Sequence, residues 1–532
     1  MHLSDHDLRQ LDEAYLDGLT PEQARALLGR ALADLKAARE RLNQNPSNSS
    51  RPPSSRAPWE TRDPGEVPAS DPPTPGEAAE SDRDATASEP EAAAGETPTE
   101  PAKAPASDEA STPQGRPGRR PGAPGHSRTQ RLNSDADRTH APSCCRGCGK
   151  PLNPAAPSRA HTARYAIDLI QPGAGSTGLV LRQTKHTYLE CRCACGHVTQ
   201  AEPGRAEDEA EWTVALTEWH LAGPTLVVFI CFLTQRMRLS RARVREFLLD
   251  WLGLELSTAT INQCVHEGGR AVAPVVEEQI TATIRTIDLL HADETSWKQH
   301  GRLLWLWVFT CAQATLFVVG KRSVEVVREV LGTAFTGWLM SDGFWAYREL
   351  DQRLRCLAHL IRKAHGLEES LEREAQRFGA HLLEVLETVI AAVYEVRSGA
   401  PPPAGGLRAH HAASLKTLLD ACERHADSRH EKTRALAREL LNDWDTFWVV
   451  LDHPDLPLTN NEAERALRHW VIARRIGMGT RTDEGTRAFA NLASVIETCR
   501  KRDRSPWPYL AEVIRARRQG HQAPPLPLPA GT

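Results

Sequence analysis

Two apolar, strand-like runs in this chain each end in an aspartate, and the two aspartates lie 49 residues apart. The runs are Leu290-His291-Ala292-Asp293-Glu294-Thr295 and Leu339-Met340-Ser341-Asp342-Gly343. That interval accommodates a three-stranded meander, a helix and a strand parallel to the first, which would set Asp293 and Asp342 side by side. A third acidic motif, Thr459-Asn460-Asn461-Glu462-Ala463-Glu464-Arg465, opens a basic helix 122 residues after Asp342. A structureless loop of that length does not belong inside a domain, so a helical insertion must fill it. The predicted fold is α/β with a mixed sheet. Three converging carboxylates could hold two divalent cations about 4 Å apart, because hard cations prefer oxygen ligands. Such a pair stabilises both the attacking and the leaving oxygen of a phosphodiester.

The rest of the chain sets the context. Its 532 residues exceed one core, and roughly 150 residues per unit gives three or four units. A net charge of −4 conceals an acidic stretch at 60–110 and an arginine-dense one at 465–518, so charge is better read by region. No signal peptide is visible in Met1 to Gln10. The longest apolar run, Leu226 to Leu233, is far short of the roughly 20 residues that span a bilayer. The expectation is a soluble, cytoplasmic protein without membrane partners, whose 12 cysteines are thiols or metal ligands rather than disulfides.

Along the chain, residues 1–45 hold a helix starting near Pro21, with Leu28, Leu32, Leu35 and Leu42 in a stripe of mostly heptad spacing. It reads either as a short amphipathic helix or as a small dimer zipper. Residues 46–140 are dominated by Pro, Ala, Ser, Gly, Asp and Glu and read as a disordered linker. Its basic end, Arg116 to His126, is either a solvated tail or a contact for DNA phosphates. A cysteine module follows at 141–202, then a helical region at 211–280. In that region Arg241 to Trp251, a break at Gly253 and a helix from Thr258 to about Gly268 capped by Ser257 have helix-turn-helix order. The pair is either a DNA-reading unit or two packed helices. Strands are predicted at Thr286–Ala292, Leu303–Thr310, Thr315–Val319, Trp338–Ser341 and Leu354–Ala358, with a helix from Ser323 to about Gly332. Helices fill 359–450, apart from a Pro/Gly break at 400–406, and two more run from about Asn461 to Arg474 and Glu484 to Lys501. These bounds put a catalytic domain at 284–512, with its insertion at about 365–455 and a disordered tail at 513–532.

In the cysteine module, Cys145-Arg146-Gly147-Cys148-Gly149 is a zinc knuckle, a tight Cys-x2-Cys turn followed by glycine. The second half, Cys191-Arg192-Cys193-Ala194-Cys195-Gly196-His197, repeats the Cys-Gly ending but lacks the usual spacing, because Arg192 occupies the partner position. A structural Zn²⁺ held by Cys145, Cys148, Cys191 and Cys195 is the preferred reading, with Cys193 as the alternative to Cys191, and with Cys144 and His197 as spares.

Glu464, Arg468 and Arg475 share a face of the predicted last helices, so a metal-binding carboxylate would be flanked by phosphate-gripping arginines. The plainer alternative is a solvated face with a Glu464–Arg468 pair. His359 is expected to pack at a strand end, with a phosphate contact near the carboxylates as the alternative. Trp305, Trp307, Trp338 and Trp345 are expected in the core.

Taken in order, these motifs make 211–512 resemble the transposases of the insertion-sequence 66 family, within the DDE recombinase class. The matching residues are His291 to Thr295; Ser341-Asp342-Gly343 with Ala346-Tyr347; Cys356-Leu357-Ala358-His359; Asn460 to Arg468; and the tail from Gly479-Thr480 to Thr498-Cys499-Arg500. The N-terminal helix, linker and cysteine module stand in the family's order too. The chain departs from the pattern at Leu357, where a tryptophan is usual, and at the irregular second knuckle. The resemblance implies a ribonuclease H-like core. It implies Mg²⁺ (or Mn²⁺) held by Asp293, Asp342 and Glu464, with Glu462 a neighbouring rival that faces away by helical phase. It implies cleavage of double-stranded DNA at the terminal inverted repeats of a transposon and joining to target DNA. Arg465, Arg468, Arg474 and Arg475 are the candidate DNA contacts. A homo-oligomer on DNA is expected, because two ends must meet, with accessory proteins as further candidates and a nucleoid-associated location. A ribonuclease H-like nuclease that cuts without joining, and a catalytically silent DNA-binding protein, remain alternatives.

Overall fold

The computed structural model describes residues 11, 15, 18–42, 44, 133–153, 157–170, 178–204, 220–333 and 335–530. Nearly all of the 46–140 linker and its basic end therefore lie outside the described residues. Residues 1–56 and 132–532 cluster as one unit and 57–131 as another, and every described residue belongs to the first.

Helix α1 (Pro21–Leu42) starts on a proline, whose missing N–H costs nothing at that position. Its leucines 28, 32, 35 and 42 are exposed. Strands β1 (Ala136–His140), β2 (Ser158–Ile170), β3 (Val180–Arg192) and β4 (Val198–Gln200) form a small sheet with β3 at its centre. β1 lies inside the stretch read as linker. It pairs in parallel with β3, from Ala136 opposite Thr184 to His140 opposite Tyr188, so the module begins before residue 141.

A helical layer follows: α2 (Pro224–Gln235), α3 (Arg241–Leu252) and α4 (Thr258–Pro274). Gly253 ends α3 in the left-handed conformation, and Ser257 caps α4 by accepting from the Thr260 N–H, as the sequence predicts. α4 continues through a π-helical turn (Val275–Ile280) into α5 (Thr281–Thr286), so the residues around Thr286 are helical and the first large strand starts later.

The second sheet has the order β7-β6-β5-β8-β9. β5 (Leu289–Gln299), β6 (Arg302–Thr310) and β7 (Thr315–Gly320) are an antiparallel meander. Helix α6 (Val324–Leu331) then crosses back to β8 (Trp338–Ser341), parallel to β5, and β9 (Arg353–Arg355) lies parallel to β8. β5 does not stop at Asp293. Its parallel ladder with β8 ends at His291–Met340, but its antiparallel ladder with β6 runs on to Gln299–Arg302. His300 and Gly301, both at positive φ (49° and 77°), close that hairpin as the two residues of a turn matching the strand twist.

Helices α7 (Leu357–Glu368), α8 (Arg373–Arg397), α9 (Gly406–His410), α10 (Ala412–His425), α11 (Glu431–Asn442) and α12 (Trp444–Trp448) form the insertion around their own core, joined to the sheet through Met340 and Leu354. The chain returns as α13 (Asn461–Gly477), α14 (Asp483–Lys501) and α15 (Pro506–Arg518).

Strand alternation divides the sheet's side chains between two helical layers. Trp307 and Phe309 face α2, α4 and α15, whereas Leu306 and Val308 face α13 with Trp297, Leu467 and Trp470. Residues 220–280 share one core with the sheet rather than forming a separate body. Gly269 permits the close crossing of α4 and α14, since a Cβ there would strike the Ala488 backbone. Residues 513–530 pack against this core: Leu526 is buried, its N–H donates to Gln279 Oε1 at 2.8 Å, and Tyr509 donates to the Pro524 carbonyl at 3.0 Å. Among the described residues no helix is long and apolar enough to cross a membrane.

Candidate active site of carboxylates

The β5–β8 register places the two aspartates. His291 pairs with Met340, so Asp293, still in β5, and Asp342, the residue after β8, stand next to each other where the two strands part. The ladder that ends there leaves backbone groups to satisfy. Asp342 Oδ1 accepts from the Phe344 N–H at 3.0 Å and from the Gly343 N–H, an Asx-type turn that stops β8. Asp293 Oδ1 accepts from the Glu294 N–H at 2.8 Å. Burial, then Asp342, Glu294 and Glu464, raise the Asp293 pKa well above the ordinary carboxylate range.

Glu464 is delivered from far along the chain by α13. Buried Asn460, the residue before that helix, donates from Nδ2 to the Ala292 carbonyl at 2.8 Å, and His291 Nδ1 donates to its Oδ1 at 3.2 Å. The helix is therefore pinned one residue away from Asp293. Its far end is pinned by Arg474, which donates to Thr295 Oγ1 at 2.9 Å, to Ser296 Oγ at 2.8 Å and to the Ser296 carbonyl. Burial and then Asp342 raise the Glu464 pKa, against the lowering effect of Arg362. The three carboxylates thus lie close enough to feel one another's charge.

The neighbouring acids are committed elsewhere. Glu462 takes an ion pair from Lys501 and another from Arg465 at 3.0 Å. Glu294, the residue after Asp293, points to the opposite face of the sheet. There it accepts from Tyr347 Oη at 2.8 Å and from Arg322 at 2.7 and 3.0 Å, with the guanidinium stacked between Trp305 and Phe344.

Among the four arginines, Arg474 is consumed by β5 and Arg465 is paired with Glu462. Arg468 and Arg475 are exposed and make no hydrogen bond or ion pair to the described residues. Glu464 does not pair with Arg468. It lies 3.7 Å from Arg362 and 3.8 Å from His359 Nε2. His359 is thus beside the carboxylates rather than merely packed at a strand end, because β9 is short and residue 359 falls on the first turn of α7. Its Nδ1 is buried without a partner, and burial and Arg362 push its pKa down to about 4. Trp307 is fully buried and Trp305 and Trp338 are partly so, but Trp345 is 55 % exposed, turned outward by the chain reversal after Asp342.

A family model, described as Transposase IS66 family, matches residues 220–488, half of the chain. The chain belongs to this transposase family. The match runs from the start of α2 into α14 and so contains all three carboxylates. The chain is 26 % identical over 300 residues to the uncharacterized protein y4hP of Sinorhizobium fredii (strain NBRC 101917 / NGR234), covering 49 % of this chain and 53 % of that one. The uncharacterized protein y4jD of the same strain is 25 % identical over 219 residues, covering 37 % and 41 %. The uncharacterized protein y4jO is 37 % identical over 68 residues, covering 13 % and 21 %. The chain spans about half, or less, of the length of these relatives.

Outside the family match, the cysteine module gathers Cys145, Cys148, Cys193 and Cys195, with all four sulfurs within 4.8 Å of one another. Cys193 takes the place expected for Cys191, which lies on β3 with its side chain buried, opposite Thr199. β3 ends at Arg192, so Cys193 is the first cysteine free to turn into the loop. Cys145 and Cys195 are 3.7 Å apart and Cys148 and Cys193 3.6 Å. A zinc tetrahedron with Zn–S of about 2.3 Å has edges of about 3.8 Å, so the donors fit that ion. Backbone N–H groups, that of Cys148 first, lower the Cys145 thiol to about 6.

Proposed function

We propose that this transposase-family chain cuts DNA at the ends of its element and joins the freed ends to target DNA. Asp293, Asp342 and Glu464 form the site, set in a ribonuclease H-like core. The observation that supports the reading is the parallel β5–β8 register, which ends at His291–Met340 and so brings Asp293 and Asp342 side by side just beyond it, beneath a helix pinned to Ala292 by Asn460. An antiparallel meander followed by two parallel strands, with the acids where the parallel ladder ends, is the arrangement expected of such a core.

The donor set suits a hard divalent cation: three carboxylates, two of them raised in pKa by burial and by like charge, gain most when a cation joins them. Magnesium, when bound there, supplies the charge that stabilises the attacking and leaving oxygens of a phosphodiester. The chain's own residues do the rest. Asn460 and Arg474 fix the distance of α13 from β5. His359 and Arg362 hold Glu464. Arg468 and Arg475, exposed on the same helix, contact DNA phosphates, which sets position rather than sequence preference. The reaction is hydrolysis at the element's end, followed by in-line attack of the freed 3′-hydroxyl on a target phosphodiester. Two ends must be held together, so a dimer or larger assembly forms on DNA. The four thiols of the N-terminal module hold a structural Zn²⁺.

The test is cleavage and joining of labelled DNA carrying the source element's ends with Mg²⁺, comparing wild type with Asp342→Asn. Products from the wild type alone are expected. Equal activity in both would remove Asp342 from the site. Cutting without joining would make the chain a nuclease, and end-binding without cutting would make it a silent DNA-binding protein.

A further inference from the structure

The helical insertion reaches the second aspartate through one side chain. Arg355, the last residue of β9 and 3 % exposed, donates from Nε to the Asp342 carbonyl oxygen at 2.7 Å. Its other two nitrogens are held by the insertion: one pairs with Asp443 and the other with Glu439, and its guanidinium lies 4.6 Å from the Phe447 ring centroid. Asp443, with its carboxylate buried, also faces Arg353 of β9 at 3.4 Å and Arg348 at 3.5 Å. Arg348 lies on the short 3₁₀ turn (Trp345–Glu349) that follows Asp342. Glu439 is balanced by Lys363 as well, at 2.6 Å. The α11–α12 junction therefore grips the strand beside Asp342 and the turn after it.

This grip falls where the sheet stops supporting Asp342. β8 pairs with β5 no further than Met340 and with β9 no further than Ser341–Arg355, so the Asp342 carbonyl has no strand partner. Arg355 supplies it. Gly343 belongs to the same device: its φ is +151°, and a Cβ there would collide with the Arg355 guanidinium. The Ser-Asp-Gly motif needs its glycine because the clamped Arg355 guanidinium occupies the space a Cβ would take.

We propose that Arg355 is a positioning residue that fixes Asp342 opposite Asp293 and makes that geometry depend on Asp443 and Glu439 of the insertion. It rests on the reading of Asp293 and Asp342 as metal ligands. The insertion is then part of the active-site scaffold.

The test uses the full chain and three variants, Arg355→Lys, Glu439→Gln and Asp342→Asn, with Mn²⁺ as the probe, followed by its electron spin resonance signal. Wild type binds Mn²⁺ in a way that Asp342→Asn removes. Arg355→Lys keeps the charge but not the planar fork, and Mn²⁺ affinity is expected to fall about 10- to 100-fold, the range carried by groups that orient metal ligands. Glu439→Gln, at the solvent-facing end of the network, is expected to show a smaller loss in the same direction. Thermal unfolding identifies the temperature at which each variant is folded, and affinities are compared there. A lowered melting temperature with unchanged Mn²⁺ affinity in both variants would overturn the proposal, leaving the network a structural one. If Arg355→Lys does not fold, Glu439→Gln alone decides. No Asp342-dependent Mn²⁺ binding in the wild type would instead sink the metal-site reading itself.

Discussion

The molecule gathers two sets of side chains, four thiols and three carboxylates, by opposite means. The sulfur cluster is local: Cys145 and Cys148 come from one tight turn, Cys193 and Cys195 from another, and two strands bring the turns together. The carboxylates come from β5, β8 and α13, and no short turn relates any two of them. Their meeting depends on strand register, on a helical insertion that returns the chain to the right place, and on the pins that set α13 against β5. In the local cluster the alternative ligands Cys191 and Cys193 lie only two positions apart, so either strand end leaves a thiol near the site. A register-built cluster has no such latitude, since a slip of one residue turns each aspartate to the other face of the sheet.

The largest expected effects sharpen this contrast inside the carboxylate site. Asp293→Asn should lower DNA cleavage on the order of 10³-fold, about 4 kcal/mol of lost transition-state stabilisation. Glu462→Gln, two residues from Glu464 but committed to Lys501 and Arg465, should change it only a few-fold. Comparable losses from both substitutions in a cleavage assay would mean that helical phase does not select Glu464.

For the sulfur cluster, metal analysis of the purified protein should find one zinc per chain in the wild type and in Cys191→Ser, and loss of it in Cys193→Ser. The reverse pattern would restore Cys191 as the ligand. Removing the zinc with a chelator should loosen the two cysteine turns and lower the melting temperature of the core as well, because Ile167 and Leu169 of β2 are buried in the same cluster as Leu226 and Trp307.

A smaller effect probes the pin. Asn460→Ala leaves the Ala292 carbonyl and the His291 ring buried without partners, at a cost of about 1–3 kcal/mol, seen in denaturant unfolding. Loss of less than half a kilocalorie would mean that Arg474 and the apolar contacts of Trp470 place the helix unaided.

The smallest effect is in the pH dependence of stability. His469 on α13 accepts from Arg238 through Nδ1 at 2.7 Å and donates from Nε2 to the Gln235 carbonyl at 2.9 Å, so it is neutral. Burial, then Arg236, Arg238 and Arg500, push its pKa from 6.5 down to about 4, although the Gln235 carbonyl works the other way. Between those values the unfolded chain holds the proton and the folded chain does not. Stability contributed by neutral His469 is therefore present above about 6.5 and is lost as pH falls toward 4. His469→Gln should flatten the fall in melting temperature across that window; an unchanged slope would assign the fall to other groups.

How far the sequence is legible follows the same divide. The meander, the crossing helix and the parallel neighbour are readable because alternation and turn residues are local signals, and the 49-residue spacing leaves little other topology. The end of β5 is not, since Asp293 closes only the parallel ladder and the antiparallel partner keeps the strand going. The packing of residues 513–530 escapes a sequence reading because a proline-rich segment carries no periodic signal even when Leu526 fills a pocket in the core. His359 reads as a packing residue because nothing near it in sequence reveals Glu464, 105 residues away. Arg355, Asp443 and Asn460 are invisible as supports for the same reason. Each acts on a residue that is adjacent only in the fold.

The central claim is that Asp293, Asp342 and Glu464 form one cation site. A crystal grown with Mn²⁺ and measured at the manganese absorption edge tests it most directly. Anomalous peaks are expected between Asp293 and Asp342, with Glu464 completing the ligation. Manganese absent from that position, in a crystal that takes it up elsewhere, would contradict the account.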